Sequence, residues 1–150
     1  MSSLANPDHS ASATVWPELP LDAWQDTYET MHRWMQIAGK IRLAFTPMCN
    51  HWWQVTLYVT ARGFTTSSIP YRMRTFQLDF DFLDHEFRIE TEDGAERSLS
   101  LPGMSVASFY QAVMAALHDL KIDATIWPVP VEIARDDNRR CAQNRGRICR

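Results

Sequence analysis

The run Arg74-Thr75-Phe76-Gln77-Leu78-Asp79-Phe80-Asp81-Phe82-Leu83 alternates from end to end. Phe76, Leu78, Phe80 and Phe82 fall on one face of an extended chain, and Thr75, Gln77, Asp79 and Asp81 fall on the other. A period of two with one apolar face predicts a half-buried strand. Outward from it the pattern continues. Asp84-His85-Glu86 makes a turn, and residues 87–92 return with Phe87 and Ile89 inward. Asp93-Gly94 is a hairpin signal, and residues 96–101 follow with Leu99 and Leu101 inward. Strands this close in sequence form an antiparallel meander with one buried and one polar face.

Pro102-Gly103 ends the sheet. Ser105 reads as the cap of a helix whose Val106, Phe109, Tyr110, Val113, Met114, Leu117 and Leu120 form one stripe. Residues 122–131 are extended again, and Pro128 and Pro130 confine them to a sheet edge or the end of a strand.

Upstream, Trp16-Pro17-Glu18-Leu19-Pro20 is a stiff entry. Asp22 reads as an N-cap with Gln25 as its capping-box partner. Trp24, Tyr28, Met31, Met35 and Ala38 then mark one helix face, widened by Trp34, Ile37 and Ile41. Gly39 either stops this helix or only weakens it. Ile41, Leu43 and Phe45 also alternate, so a short strand competes with a helix running to about Phe45, which is preferred. Residues 50–62 read as a further strand, with Trp53, Val55, Leu57, Val59 and Ala61 inward and Trp52, Gln54, Thr56, Tyr58, Thr60 and Arg62 outward. Arg62-Gly63 turns the chain into a polar strand over residues 64–69, closed by Pro70. The order is helix, about five strands, helix, strand. This is an α+β fold: an antiparallel meander sheet of about five strands plus an edge strand, with two helices packed on one face.

A chain of 150 residues, 45% hydrophobic and 22% charged, is one domain of ordinary globular composition. Residues 1–15 read as a flexible arm and residues 16–131 as a single α+β domain. Residues 132–150 hold six Arg and three acids and read as a disordered basic tail, because one large aliphatic, Ile148, follows residue 133. Such a tail fits either a coding sequence that left its frame or was cut, or a basic arm that orders on an acidic partner. A net charge of −3 argues against a nucleic-acid partner. No run of about 18 apolar residues exists to cross a membrane. Cys49, Cys141 and Cys149 have neither an even number nor CxxC spacing. With no secretory signal pattern at the start, the cytoplasm is the expected compartment.

Several motifs resemble a family of uncharacterised bacterial proteins known as a domain of unknown function. They are Trp16-Pro17-Glu18-Leu19-Pro20, His32-Arg33-Trp34-Met35-Gln36, Gly39-Lys40-Ile41-Arg42-Leu43-Ala44 and Asn50-His51-Trp52-Trp53. Further on come Leu57-Tyr58-Val59-Thr60-Ala61-Arg62-Gly63, Thr65-Thr66-Ser67, Phe80-Asp81-Phe82 and Ile126-Trp127-Pro128-Val129-Pro130. The resemblance covers about Trp16 to Val131. It supports the domain boundaries and implies no reaction and no catalytic residues.

Two constellations carry chemistry. Asp79, Asp81 and His85 can hold a divalent cation or share acid/base work, and their bland reading is a solvated strand face. His51, Trp52, Tyr58, Thr60, Arg62, Thr65 and Thr66 combine a guanidinium with hydroxyls and aromatic rings, a set that suits a carboxylate or phosphate. Their bland reading is Arg62 paired with Asp79 or Asp81 across the sheet. Cys49 beside His51 is better read as a small buried thiol than as a nucleophile. His32 and Gln36 either rim a groove or lie on a hydrated helix face. No motif implies a metal or cofactor. The expected function is a module that binds a small polar or anionic ligand on the polar, aromatic strand face. Its competitors are an interaction or oligomerisation domain that self-associates through an exposed apolar patch, and a hydrolytic enzyme using His51 or the Asp79/Asp81/His85 group.

Overall fold

A computed structural model describes residues 17–131. The arm over residues 1–15 and the tail over residues 132–150 lie outside them. In chain order the elements are α1 (Leu21–Phe45), a 3₁₀ turn (Trp53–Val55), β1 (Tyr58–Val59), β2 (Gly63–Thr65), β3 (Ile69–Tyr71), β4 (Arg74–Asp81), β5 (Glu86–Thr91), β6 (Glu96–Ser100) and α2 (Val106–Asp119). The sheet runs β1-β2-β4-β5-β6, antiparallel throughout, and β3 also pairs with β4. The α+β architecture expected from the alternation is the one observed. No helix of the described residues is long and apolar enough to cross a membrane.

The alternation of residues 74–83 sets the core. Phe76, Leu78 and Phe80 are buried on β4, facing Phe87 and Ile89 of β5. Phe109 of α2 lies on this surface, 5.0 Å from Phe87 and 6.1 Å from Phe80 between ring centroids. Trp34 of α1 stacks behind it at 5.1 Å. Ser105 caps α2 as its position predicts, accepting the N–H of Ser108 at 3.1 Å.

Five local expectations are corrected. Residues 53–61 do not form one continuous strand: Trp53–Val55 is a 3₁₀ turn, and only Tyr58–Val59 joins the sheet. Asn50, His51 and Trp52 have φ of 26°, 48° and 72°, and Trp53 N–H donates back to Cys49 and Asn50 carbonyls. A period of two holds only on extended backbone, so the left-handed turn and the 3₁₀ turn after it break the alternation. Gln54 goes inside, while Trp53 is 65% and Val59 81% exposed. At the start of α1, Pro20 rather than Asp22 holds the cap position, without a side-chain cap bond. Asp22 sits in the first turn, where it complements the helix dipole. The buried apolar face of α1 is Trp34, Ile37, Ala38 and Ile41, not the Trp24–Tyr28 line, because Trp24 has non-helical backbone and Tyr28 is exposed.

Pro70 does not close a strand but sits inside β3, opposite Thr75. β2 and β3 form one interrupted strand on the edge of β4 opposite β5. Thr66 bridges the break: its N–H donates to Leu78 carbonyl at 2.9 Å and its hydroxyl accepts Leu78 N–H at 3.0 Å. Finally, residues 122–131 join no ladder. Ile122 and Asp123 are held by the Leu117 carbonyl and the Tyr71 hydroxyl, and residues 127–131 are tied to α1 by its side chains.

Two glycines separate space from strain. A Cβ at Gly63 would lie 2.0 Å from the Phe80 carbonyl oxygen, whereas one at Gly39 meets nothing nearer than Val55 oxygen at 3.8 Å. Gly63→Ala should therefore break the β2–β4 pairing and lower stability by several kcal/mol. Gly39→Ala should raise it by up to about 1 kcal/mol, because Gly39 is helical interior. Phe109→Ala should cost about 3–5 kcal/mol by opening a core cavity. Urea unfolding of the three variants, followed by circular dichroism, checks the order. A destabilised Gly39→Ala or a neutral Gly63→Ala would show the α1 and β2 packing to be misassigned.

Candidate functional site

Arg33, Gln36, Ile37 and Lys40 recur at helical spacing and so share one side of α1. Facing them is the start of α2, with Ser105, Val106, Ala107, Ser108, Tyr110 and Gln111, and across them runs the strap of residues 126–131. These three pieces enclose a groove of about 720 Å³.

The strap stays in place without a sheet partner because α1 side chains stand in for one. Lys40 Nζ donates to Trp127 carbonyl at 3.1 Å and to Val129 carbonyl at 2.5 Å. The Gln36 amide donates to Val131 carbonyl at 2.8 Å and accepts Val131 N–H at 3.0 Å. Gln36 thus lies on the groove, as one of its two sequence readings had it, although the groove faces α2 and not the sheet.

Burial lowers the pKa of Lys40 from its usual 10.5. Its ammonium meets two carbonyls and, among the described residues, no carboxylate. Arg33, by contrast, lies 3.6 Å from Glu29. The first turn of α2 adds the positive end of a helix dipole, with the Ser108 N–H already taken by the Ser105 hydroxyl. Trp127 holds its indole 72% exposed at the rim. The groove can therefore receive a small molecule with an anionic end and a flat apolar body. Sequence reasoning missed Lys40. The available signal was a cation at helical spacing from Arg33 and Gln36, beside the apolar stripe.

Tyr58 and Thr65 are register partners across β1 and β2, and Thr60 lies beside Arg62, while most polar groups of the two predicted constellations have partners within the chain. Arg62 donates to Asp81 at 2.5 Å and to Asp84 at 2.6 Å. Arg88 reaches Asp81, Asp84 and Glu86 at 3.4, 2.7 and 3.1 Å. Asp81 also accepts the N–H groups of Leu83 and Asp84 at 3.0 Å each. Asp79 instead accepts from Gln77 at 2.7 Å, and His85 occupies a positive-φ turn position. Among the described residues, no group of three or more His, Cys, Asp or Glu side chains is arranged to hold a metal ion.

The hydroxyls of the second constellation shape backbone. Thr60 accepts the N–H groups of Arg62 and Gly63, Thr65 accepts that of Ser67, and Thr66 is fully buried in the ladder. His51 and Trp52 lie in the left-handed turn. Tyr58 faces a residue the sequence reading left out, Arg42, whose guanidinium carbon is 5.2 Å from the ring centroid. Cys49 is exposed rather than buried.

The family of unknown function DUF5996 matches residues 16–145. The match begins where the sequence resemblance begins and runs on past Val131. No curated protein and no solved structure matches the chain.

The ion cluster around Asp81 has a pH signature. The Arg62 hydrogen bond, foremost, and the Asp84 and Leu83 N–H groups outweigh desolvation and hold the Asp81 carboxyl down from 3.8 to about 2. A carboxyl with a depressed folded pKa contributes stability above its unfolded pKa and loses it as pH falls through the folded one. Asp81→Asn should therefore be less stable than wild type at neutral pH, with the difference closing between about pH 4 and about pH 2. Thermal melts across that range measure it. A gap that stays constant with pH would remove Asp81 as the acid-sensitive group.

Proposed function

The chain belongs to DUF5996, a family whose description names no activity, and we propose that it is a small-molecule-binding module. The groove between α1, the start of α2 and the strap is its pocket, and the ligand carries an anionic group. The observation that supports this most is the coincidence of shape and charge. The groove's volume falls in the range typical of small-molecule sites, roughly 300–1,000 Å³. Its wall holds an ammonium group that no described carboxylate neutralises. The Trp127 indole offers a stacking surface, and the α2 first turn favours negative charge.

A second reading has its own observation. Met48, Trp52, Trp53 and Val59 are all more than half exposed on or beside the short edge strand β1. Apolar groups on an open sheet edge favour pairing with another chain. Self-association through this face is compatible with a ligand groove elsewhere. Sedimentation velocity over a concentration series, with Val59→Lys as the edge-blocking variant, decides it: a monomer at every concentration removes this reading.

For the groove, a panel of small aromatic and aliphatic anions, each with a neutral analogue, is screened by thermal shift and isothermal titration calorimetry. Anions should raise the melting temperature and their neutral analogues should not. Lys40→Met and Trp127→Ala should each weaken a hit by about tenfold or more, a loss of about 1.4 kcal/mol. Gln36→Ala loosens the strap but keeps the ammonium, and so should weaken binding less than Lys40→Met does. A hit bound equally well by wild type and Lys40→Met would place its site outside the groove.

A further inference from the structure

Side-chain amino groups are scarce in this chain. It has two lysines, Lys40 and Lys121, against thirteen arginines. The two lysines differ in setting. Lys121 is exposed in the turn after α2, whereas Lys40 is half-buried on the wall of the groove. An arginine would staple the strap at least as well, because its planar fork presents several N–H donors to carbonyls. Arginine cannot give up its charge, and lysine can.

The way Lys40 is held favours that release. Its Nζ donates to the carbonyls of Trp127 and Val129 at 3.1 and 2.5 Å. An ammonium carries three N–H groups, and a neutral amine carries two and a lone pair. The two strap carbonyls therefore match the neutral amine in full. Both acceptors are uncharged, and no described carboxylate pairs with Nζ to keep the third proton in place. The surroundings act in the same direction. Ile37, Val106, Ile126, Pro128 and Pro130 line the same groove, and burial has already lowered the Lys40 pKa. A lysine desolvated beside apolar groups is the form in which an amine attacks carbonyl carbon.

We propose that Lys40 is a nucleophile that forms a reversible imine with a small aldehyde carrying an anionic group, bound in the groove between α1, α2 and the strap. This rests on the reading of that groove as a ligand pocket and adds the class of ligand. The lone pair of the neutral amine attacks the aldehyde carbon, and the C=O π pair moves to oxygen. The proton that nitrogen sheds ends on that oxygen, giving a carbinolamine. The carbinolamine takes back the proton the ammonium first released, the C–O bond breaks and water leaves as the C=N bond forms. In sum, an ammonium and an aldehyde give an iminium and one water, so atoms and charge balance and no oxidant or reductant is consumed. The iminium keeps one N–H, enough for one of the two strap carbonyls. Its positive charge stays in the groove and still meets the anionic group of the bound molecule.

The test uses para-carboxybenzaldehyde as the probe. Its matched alcohol, para-(hydroxymethyl)benzoate, has the same charge and nearly the same shape but no electrophilic carbon. Protein and aldehyde are mixed at neutral pH with sodium cyanoborohydride, which reduces an imine to a stable secondary amine, and peptide mass spectrometry locates the adduct. Lys40 should be labelled several-fold faster than Lys121. Excess alcohol should slow labelling of Lys40 and leave that of Lys121 unchanged, and benzaldehyde, which lacks the carboxylate, should show less preference for Lys40. Without reductant, calorimetry on wild type should find the aldehyde bound more tightly than the alcohol. Lys40→Arg keeps a cation and donors for the strap but cannot form an imine, so it should bind the two alike. Labelling of Lys40 no faster than that of Lys121, labelling that the alcohol does not slow, or an aldehyde preference that survives Lys40→Arg overturns the proposal. If the alcohol still binds wild type and Trp127→Ala weakens it, the groove remains an anion pocket without the covalent step. If no anion of the panel binds either, the pocket reading falls with it.

Discussion

Phe109 is the point at which the three layers meet. Its ring rests on Phe80 and Phe87, which are themselves register partners across β4 and β5 with centroids 4.8 Å apart. Its other side takes Trp34, so the middle of α1 is attached largely through α2. At its C-terminal end α1 reaches the sheet directly, through Phe45 against Tyr71 and Phe76 at 5.3 and 5.7 Å. Aromatic contacts of this kind contribute about 0.5–1.5 kcal/mol each beyond the area they bury. A sheet with one apolar face must be covered, and these rings decide where the cover lies.

Fixing α1 at its middle and at its C-terminal end sets where its remaining sides carry cations. Successive residues on an α-helix are rotated by about 100°, so Lys40 and Arg42 point to nearly opposite sides although only Ile41 separates them. Lys40 faces the strap and the groove. Arg42 faces the loop over residues 46–56. Ile41, between them in sequence, is fully buried. One helix therefore holds a core contact and two cationic surfaces within three residues, and neither cation has a described carboxylate.

The sheet and α2 were legible because their pattern is regular. From Arg74 to Leu101 nearly every alternate residue lies on the face its parity predicts, and the 106–120 stripe buries Phe109, Val113, Leu117 and Leu120. Residues 50–62 carry an alternation that looks similar, and it misled because a left-handed turn precedes it. The signal for that turn in Asn50-His51-Trp52 is weak: Asn and His tolerate positive φ better than most residues, but none of the three is glycine. Among the candidate residues, the hydroxyls of Thr60, Thr65 and Thr66 bond backbone groups, and Arg62 pairs across the sheet with Asp81, the partner its bland reading named. Arg42 was hidden because a helix residue next to a core position reads as solvated by default.

Asp81 and Arg42 show how differently the same fold treats two buried charges. Asp81 is surrounded by two guanidinium groups and two backbone N–H donors, so its ionised form is fully answered from within the chain. That degree of compensation is what a structural charge requires, because a buried ion short of partners costs several kcal/mol. Arg42 receives a carbonyl and a ring. Trp34 also buries an unpartnered N–H, yet that group is neutral and belongs to a ring that packs against Phe109. Packing explains Trp34 and ion pairing explains Asp81. Arg42 has neither kind of answer among the described residues: it is met by the Thr56 carbonyl and the Tyr58 ring alone.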